Sequence, residues 1–158
     1  MLLALAVRGC DANQLAMTRG PEVSEATGQN TLTFRLRNVG TRPCALHGYP
    51  AVALVDRNGA LPFAISHRGD QMITARRPAR FTVAPRGTAF FALNKYRCDL
   101  GDRRRARAVR LELGAGHVTA TVPRFPDISF CGRGDPGSTV AVSPFEPTLR
   151  LTLRSHSP

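Results

Sequence analysis

Apolar residues recur at every second position in run after run of this chain, and that alternation limits what it can fold into. Leu32, Phe34 and Leu36 alternate with Thr33, Arg35 and Arg37, and Val109, Leu111 and Leu113 with Arg110 and Glu112. Val118, Ala120 and Val122 alternate with Thr119 and Thr121, and Leu149, Leu151 and Leu153 with Arg150, Thr152 and Arg154. Successive side chains of an extended strand leave opposite faces, so each run predicts a strand with one face in a core and one in water. Residues 51–55 and 89–93 are continuously apolar, which predicts strands covered on both faces. Shorter candidates lie at 14–18, 62–65, 80–83 and 139–143.

Turn signals separate these runs: Asn38-Val39-Gly40, Gly48-Tyr49-Pro50, Asn58-Gly59, Pro85-Arg86-Gly87, Gly114-Ala115-Gly116 and Asp135-Pro136-Gly137. With 14 Gly and 12 Pro spread through 158 residues, no long helix survives, and residues 102–107 offer at most one helical turn. Nine or ten short strands read as an all-β fold, an immunoglobulin-like Greek-key β-sandwich, with a closed barrel as the competing architecture. No internal repeat or linker divides the chain. We therefore expect one domain over residues 10–158, preceded by a short apolar segment at 1–9.

Cys10, Cys44, Cys98 and Cys131 are widely spaced and contain no CxxC, which removes the local signature of a zinc ribbon or a dithiol redox pair. Four cysteines allow three pairings. We favour Cys10–Cys44 with Cys98–Cys131, each closure contributing on the order of 3–4 kcal/mol in the chain-entropy model. Two disulfides imply an oxidising compartment. Met1–Val7 is apolar like the tail of an export signal, although no basic segment precedes it; a hydrophobic first strand is the other reading.

The segment Cys44-Ala45-Leu46-His47-Gly48-Tyr49-Pro50, followed by Asp56-Arg57-Asn58-Gly59, resembles an actinobacterial family known as domain of unknown function 4232. The other parts of that pattern are Cys10, Leu36-Arg37-Asn38-Val39-Gly40, Pro85-Arg86-Gly87, Cys98, Cys131 and a closing stretch at 140–144. The resemblance runs from Gly9 to Pro144. It implies a secreted or envelope-attached immunoglobulin-like domain, supports the favoured cysteine pairing, and brings no catalytic residues. Within the segment, Gly48 can take a positive φ, and Pro50 holds Tyr49 extended. The Tyr49 ring can then bury while its hydroxyl reaches a backbone partner.

Sites of chemistry are scarce. His47, His67, His117 and His156 share no metal-ligand spacing, and no Gly-x-Ser-x-Gly elbow or phosphate-binding loop occurs. No cofactor or metal is implied, and we expect a binding or structural module rather than an enzyme. The alternative is a small hydrolase or ligand-binding enzyme with its site in loops at one end of the sandwich.

The charge carries more. Lys95 is the single lysine among 22 basic residues, leaving 21 arginines against 11 acidic residues and a net charge of +11. Arg76, Arg77 and Arg80 form one group, and Arg103, Arg104, Arg105, Arg107 and Arg110 a second. Exposed in neighbouring loops, they would attract an anionic envelope polymer, a lipid head group or an acidic protein. Nucleic acid is disfavoured, since the chain has no Trp, two Tyr and no recognition-helix candidate. Arg68-Gly69-Asp70 and Arg133-Gly134-Asp135 are adhesion-type tripeptides, which an Arg- and Gly-rich chain also produces by chance.

Overall fold

Leu32, Phe34 and Leu36 are fully buried on one face of a ten-residue strand, and the molecule is arranged around that face. The computed structural model describes residues 5–99 and 103–154. The strands in chain order are β1 (Leu15–Arg19), β2 (Gln29–Asn38), β3 (Cys44–Leu46), β4 (Ala51–Asp56), β5 (Gly59–Ala60), β6 (Ala64–Ser66) and β7 (Phe81–Val83). They continue with β8 (Thr88–Tyr96), β9 (Arg104–Arg105), β10 (Ala108–Leu113), β11 (Gly116–Thr121), β12 (Ser129–Phe130) and β13 (Thr139–Val142). One α-helical turn, α1 (Leu149–Thr152), follows β13, and 3-10 turns lie at Ala12–Gln14 and Pro136–Ser138.

A five-stranded sheet has the order β1-β2-β8-β13-β6, and a four-stranded sheet the order β11-β10-β4-β5. All pairings are antiparallel except β13 with β6. The two sheets share one core. Phe34, Phe91 and Leu93 from the first meet Leu54, Val109, Leu111 and Ala120 from the second. Phe34 and Phe91 stack at 4.9 Å between centroids, and Phe145 meets Phe91 edge-on at 6.1 Å. Two-stranded pieces, β3 with β7 and β9 with β12, complete the pairing.

Three expectations are corrected. The alternating run at 149–153 is not a strand: α1 turns there, and the Thr152 hydroxyl donates to the Leu149 carbonyl at 2.7 Å. Leu153 then bridges Ile73 and packs on Ile73, Ala92 and Ala141, a small second core on the outer face of the five-stranded sheet. One helical turn sets residues three and four apart on a shared side, which a strand cannot do. Residues 103–107 carry no helical turn; β9 pairs Arg104 with Phe130 and Arg105 with Ser129, while residue 102 lies outside the described residues. The Cys98–Cys131 cross-link brings those segments together, so tertiary pairing overrides local preference. Finally, residues 51–55 are covered on one face only. Leu54 is buried, whereas Ala51 is exposed and Ala53 and Val55 are half-exposed, because no layer packs outside β4.

The Asn38 side chain joins three segments at the end of β2. Its amide donates to the Arg42 carbonyl at 2.8 Å and the Val83 carbonyl at 3.0 Å, and its oxygen accepts from Gly40 N–H at 2.9 Å. Asn38 is fully buried, so its removal strands backbone groups without water. Asn38→Ala should lower unfolding free energy by about 2–3 kcal/mol in urea titration, an outcome that a loss under about 0.5 kcal/mol would contradict.

Candidate functional site

The two disulfides, Cys10–Cys44 and Cys98–Cys131, have Cα separations of 4.8 and 5.3 Å and pair as expected. They sit at opposite ends of β2. Cys44 pairs with Val83, whose carbonyl Asn38 holds, whereas Cys131 lies against Lys95, which pairs with Asn30. Ten strand residues place those ends about 30 Å apart.

That separation divides the arginines. Arg76, Arg77 and Arg80 are exposed on the segment leading into β7. Arg76 is 3.4 Å from the buried carboxylate of Glu146, and the Arg80 guanidinium donates to the Val7 carbonyl. Arg110 lies on the outer face of the four-stranded sheet, 2.9 Å from Glu112 but off the hydrogen-bond direction. The other group gathers at the Cys98–Cys131 end. Arg103, Arg104, Arg105 and Arg107 are all exposed, with no carboxylate within ion-pair distance among the described residues. The structure thus does not merge the two groups into one surface.

Sequence spacing missed the residues that complete this end. Arg104 lies over the Phe130 ring at 5.5 Å and Arg124 over Phe125 at 5.9 Å, with Phe125 77% exposed. Arg97 and Arg133 belong to the same loops, and Arg97 N–H bonds the Gly28 carbonyl. A cleft of about 460 Å³ beside them is lined by Phe63, Phe130, Arg133 and Thr139. Folding alone brings these arginines and aromatic rings together; along the chain only Arg124 and Phe125 are neighbours.

Lys95 is a buried cation at this end, 2% exposed. Its ammonium donates to the Tyr96 carbonyl at 2.8 Å and contacts the Cys131 sulfur at 3.7 Å. Burial depresses its pKa, opposed by Asp127 and Asp135 and reinforced by Arg103. The signal was present in the sequence: Lys95 continues the inward-facing register of Ala89, Phe91 and Leu93. Beside it, Gly137 packs so closely that a Cβ there would stand 2.7 Å from both the Cys131 sulfur and the Tyr96 carbonyl oxygen.

The adhesion-type tripeptides are absorbed by the fold. Asp70 accepts from the Met72 and Ile73 N–H groups and from the Asn94 amide, each at 2.7 Å. Asp135 accepts from Gly137 N–H at 2.8 Å and Asp99 N–H at 3.0 Å. Neither carboxylate extends from a loop tip. Gly48 has a φ of +83°, and the Tyr49 hydroxyl donates to the His67 carbonyl at 3.2 Å while its half-buried ring stacks on His67 at 4.0 Å. His47 and His117 are exposed in other parts of the molecule, and His156 lies outside the described residues. Among the described residues, no group of three His, Cys, Asp or Glu is placed to hold a metal, and no helix is long and apolar enough to cross a membrane.

In comparisons with known proteins, the family model described as "Domain of unknown function (DUF4232)" matches residues 10–146. No curated protein and no solved structure matches.

The depressed Lys95 pKa has a signed consequence. Between that lowered value and the ordinary lysine value, the unfolded chain holds more protons than the folded one, so stability rises as pH climbs through the window. Wild-type stability measured against Lys95→Met should therefore improve as pH climbs towards the ordinary lysine value. A difference independent of pH would contradict a desolvated ammonium.

Proposed function

The chain belongs to the DUF4232 family, and from that premise we propose that it is an extracytoplasmic, immunoglobulin-like β-sandwich that docks an anionic polymer of the cell envelope. The docking surface is the basic end at Cys98–Cys131, and the role is non-enzymatic binding.

The observation that carries this reading is the set of exposed arginines at 103, 104, 105 and 107 without carboxylate partners among the described residues. A surface arginine neutralised by a neighbouring acid has little field to offer. Four without such a neighbour among the described residues, on β9 and beside it, project a positive potential over roughly a Debye length, about 8–10 Å at physiological salt. Guanidinium groups fork onto phosphate or carboxylate oxygens, the charged groups of an acidic polymer. The exposed Phe125 ring beside Arg124 adds an apolar contact for a sugar or polyol backbone.

Placement outside the cytosol rests on the disulfides. Both closures tie down short pairs, β3 with β7 and β9 with β12, that have few ladder bonds of their own. A fold relying on such bonds belongs where thiols are oxidised. The sandwich reading rests on the five- and four-stranded sheets sharing one core, with the chain passing from the first to the second between β2 and β4 and again between β8 and β10.

Charge reversal at the two arginine groups separates location from total charge. The triple variant R103E/R104E/R105E should elute from a phosphate-bearing polymer column at clearly lower salt than wild type. Its slope of log affinity against log salt should fall by about 2–3. R76E/R77E/R80E changes net charge equally and should shift elution less. Equal shifts for the two variants would mean that net charge alone governs retention, and the docking end would be wrong.

A further inference from the structure

The two disulfides differ in what surrounds their sulfurs. Cys10 and Cys44 are 6% and 1% exposed, so both sulfurs of that bond are shielded. In Cys98–Cys131 the shielding is one-sided: Cys131 is 2% exposed, while Cys98 is half-buried in a loop between Arg97 and Asp99. The buried sulfur is also the one that Lys95 Nζ contacts, at 3.7 Å. No group of comparable charge contacts the sulfurs of Cys10–Cys44 among the described residues.

From this asymmetry we infer that Cys98 is a modification site for low-molecular-weight thiols, with Cys131 as leaving group and the Lys95 ammonium as its counter-charge. An external thiolate attacks Cys98 Sγ. The new bond joins the incoming sulfur to Cys98, the Cys98–Cys131 bond breaks, and its electron pair departs on Cys131 Sγ. The incoming thiol has already lost its proton to solvent. One disulfide replaces another, with the external thiol oxidised to the mixed disulfide and Cys131 reduced to thiolate. No further oxidant or reductant is required.

Leaving is the step that the surroundings control. A thiolate departs faster when its conjugate acid is stronger, and an adjacent ammonium lowers a thiol pKa. The Ser129 carbonyl oxygen lies 3.4 Å from Cys131 Sγ and opposes charge there, so the Lys95 ammonium is the group on which departure depends. Burial works against keeping that ammonium charged, while Asp127 and Asp135 favour it and Arg103 opposes it. The exposed Arg103 and Arg105 add a field that draws an anionic thiol towards Cys98, while Arg97 is offset by Asp99 at 3.9 Å. Thiol exchange needs no polymer, although it unfastens β12, the strand that pairs with Arg104 and Arg105 at the docking end.

The test uses the full chain with both disulfides formed, treated with glutathione at pH 8, quenched in acid, alkylated and mapped by mass spectrometry. The expected product carries one glutathione on Cys98 and one alkyl group on Cys131, with Cys10–Cys44 intact. Opening of Cys98–Cys131 should be at least about tenfold faster than opening of Cys10–Cys44. Lys95→Met should slow it by about tenfold while Lys95→Arg preserves it, with the Cys10–Cys44 rate serving as the check that each variant is folded. Glutathione on Cys131, equal rates for the two bonds, or no slowing in a folded Lys95→Met protein would each overturn the assignment. If Lys95→Met does not fold, the thiolate absorbance of Cys131 in Cys98→Ser decides. Titration below the ordinary cysteine range supports the Lys95 role, and titration within or above that range refutes it.

Discussion

The antiparallel ladder of β2 with β8 is the constraint on which the rest of the structure depends. It runs nine residue pairs, from Gln29 opposite Tyr96 to Arg37 opposite Thr88, and is the longest pairing in the described residues. Because a strand has a period of two, this register sends Leu32, Phe34, Leu36, Phe91 and Leu93 to one side together. There they meet the inward residues of β4, β10 and β11. A slip of one residue would turn the inward set of the slipped strand outward, away from its partner's. The same register places Gln29, Thr31 and Asn94 on the opposite face. There the Thr31 hydroxyl donates to Asn94 at 2.8 Å, and the Asn94 amide donates to Gln29 and Asp70. That buried polar cluster, the segment through Ile73 and the C-terminal turn cover the outer face where β8 would otherwise meet water.

The disulfides act where the ladder ends. Strands of two or three residues, such as β3, β7, β9 and β12, bury too little to order themselves. Cys10–Cys44 fastens the β3–β7 pair near the end of β2, where Arg8 and Cys10 also run beside Ala45. Cys98–Cys131 ties the end of β12, the partner of β9, to the segment that follows β8 at the other end. The second closure has the larger functional consequence, because it holds Arg104 and Arg105 on a defined strand instead of a drifting loop. The basic end is therefore a tertiary object, organised by a covalent bond whose own sulfur touches the one buried lysine.

The residues that carry the family resemblance turn out to hold the backbone together. Asn38 ties β2 to the β7 end, Gly48 supplies a positive φ, and Tyr49 caps the His67 carbonyl. Gly87 closes the Pro85-Arg86-Gly87 turn by donating to the Ala84 carbonyl at 2.7 Å, with Arg86 at a φ of +67°. None of these side chains converges on a cavity with another. A pattern of this kind describes how a chain turns corners, and leaves the loops at the Cys98–Cys131 end free to differ in charge.

What the sequence determined by itself were the features encoded in nearest-neighbour chemistry. Alternation located β2, β10 and β11, a continuous apolar run located β8, Gly, Pro and Asn marked their turns, and the cysteine count together with the family resemblance anticipated both cross-links. Tertiary structure decided whatever depends on which distant segments meet. The run at 149–153 alternates as a strand would, yet turns, and the turn delivers Leu153 to a second small core beside Ile73. Arg104 and Arg105 became part of an edge pair because Ser129 and Phe130, next to Cys131, lie alongside. Two basic groups that look alike in the chain ended at different places, one partly engaged by Glu146 and Val7 and the other open to solvent. Charge is countable from composition, but its neutralisation depends on distances that only the packed chain sets.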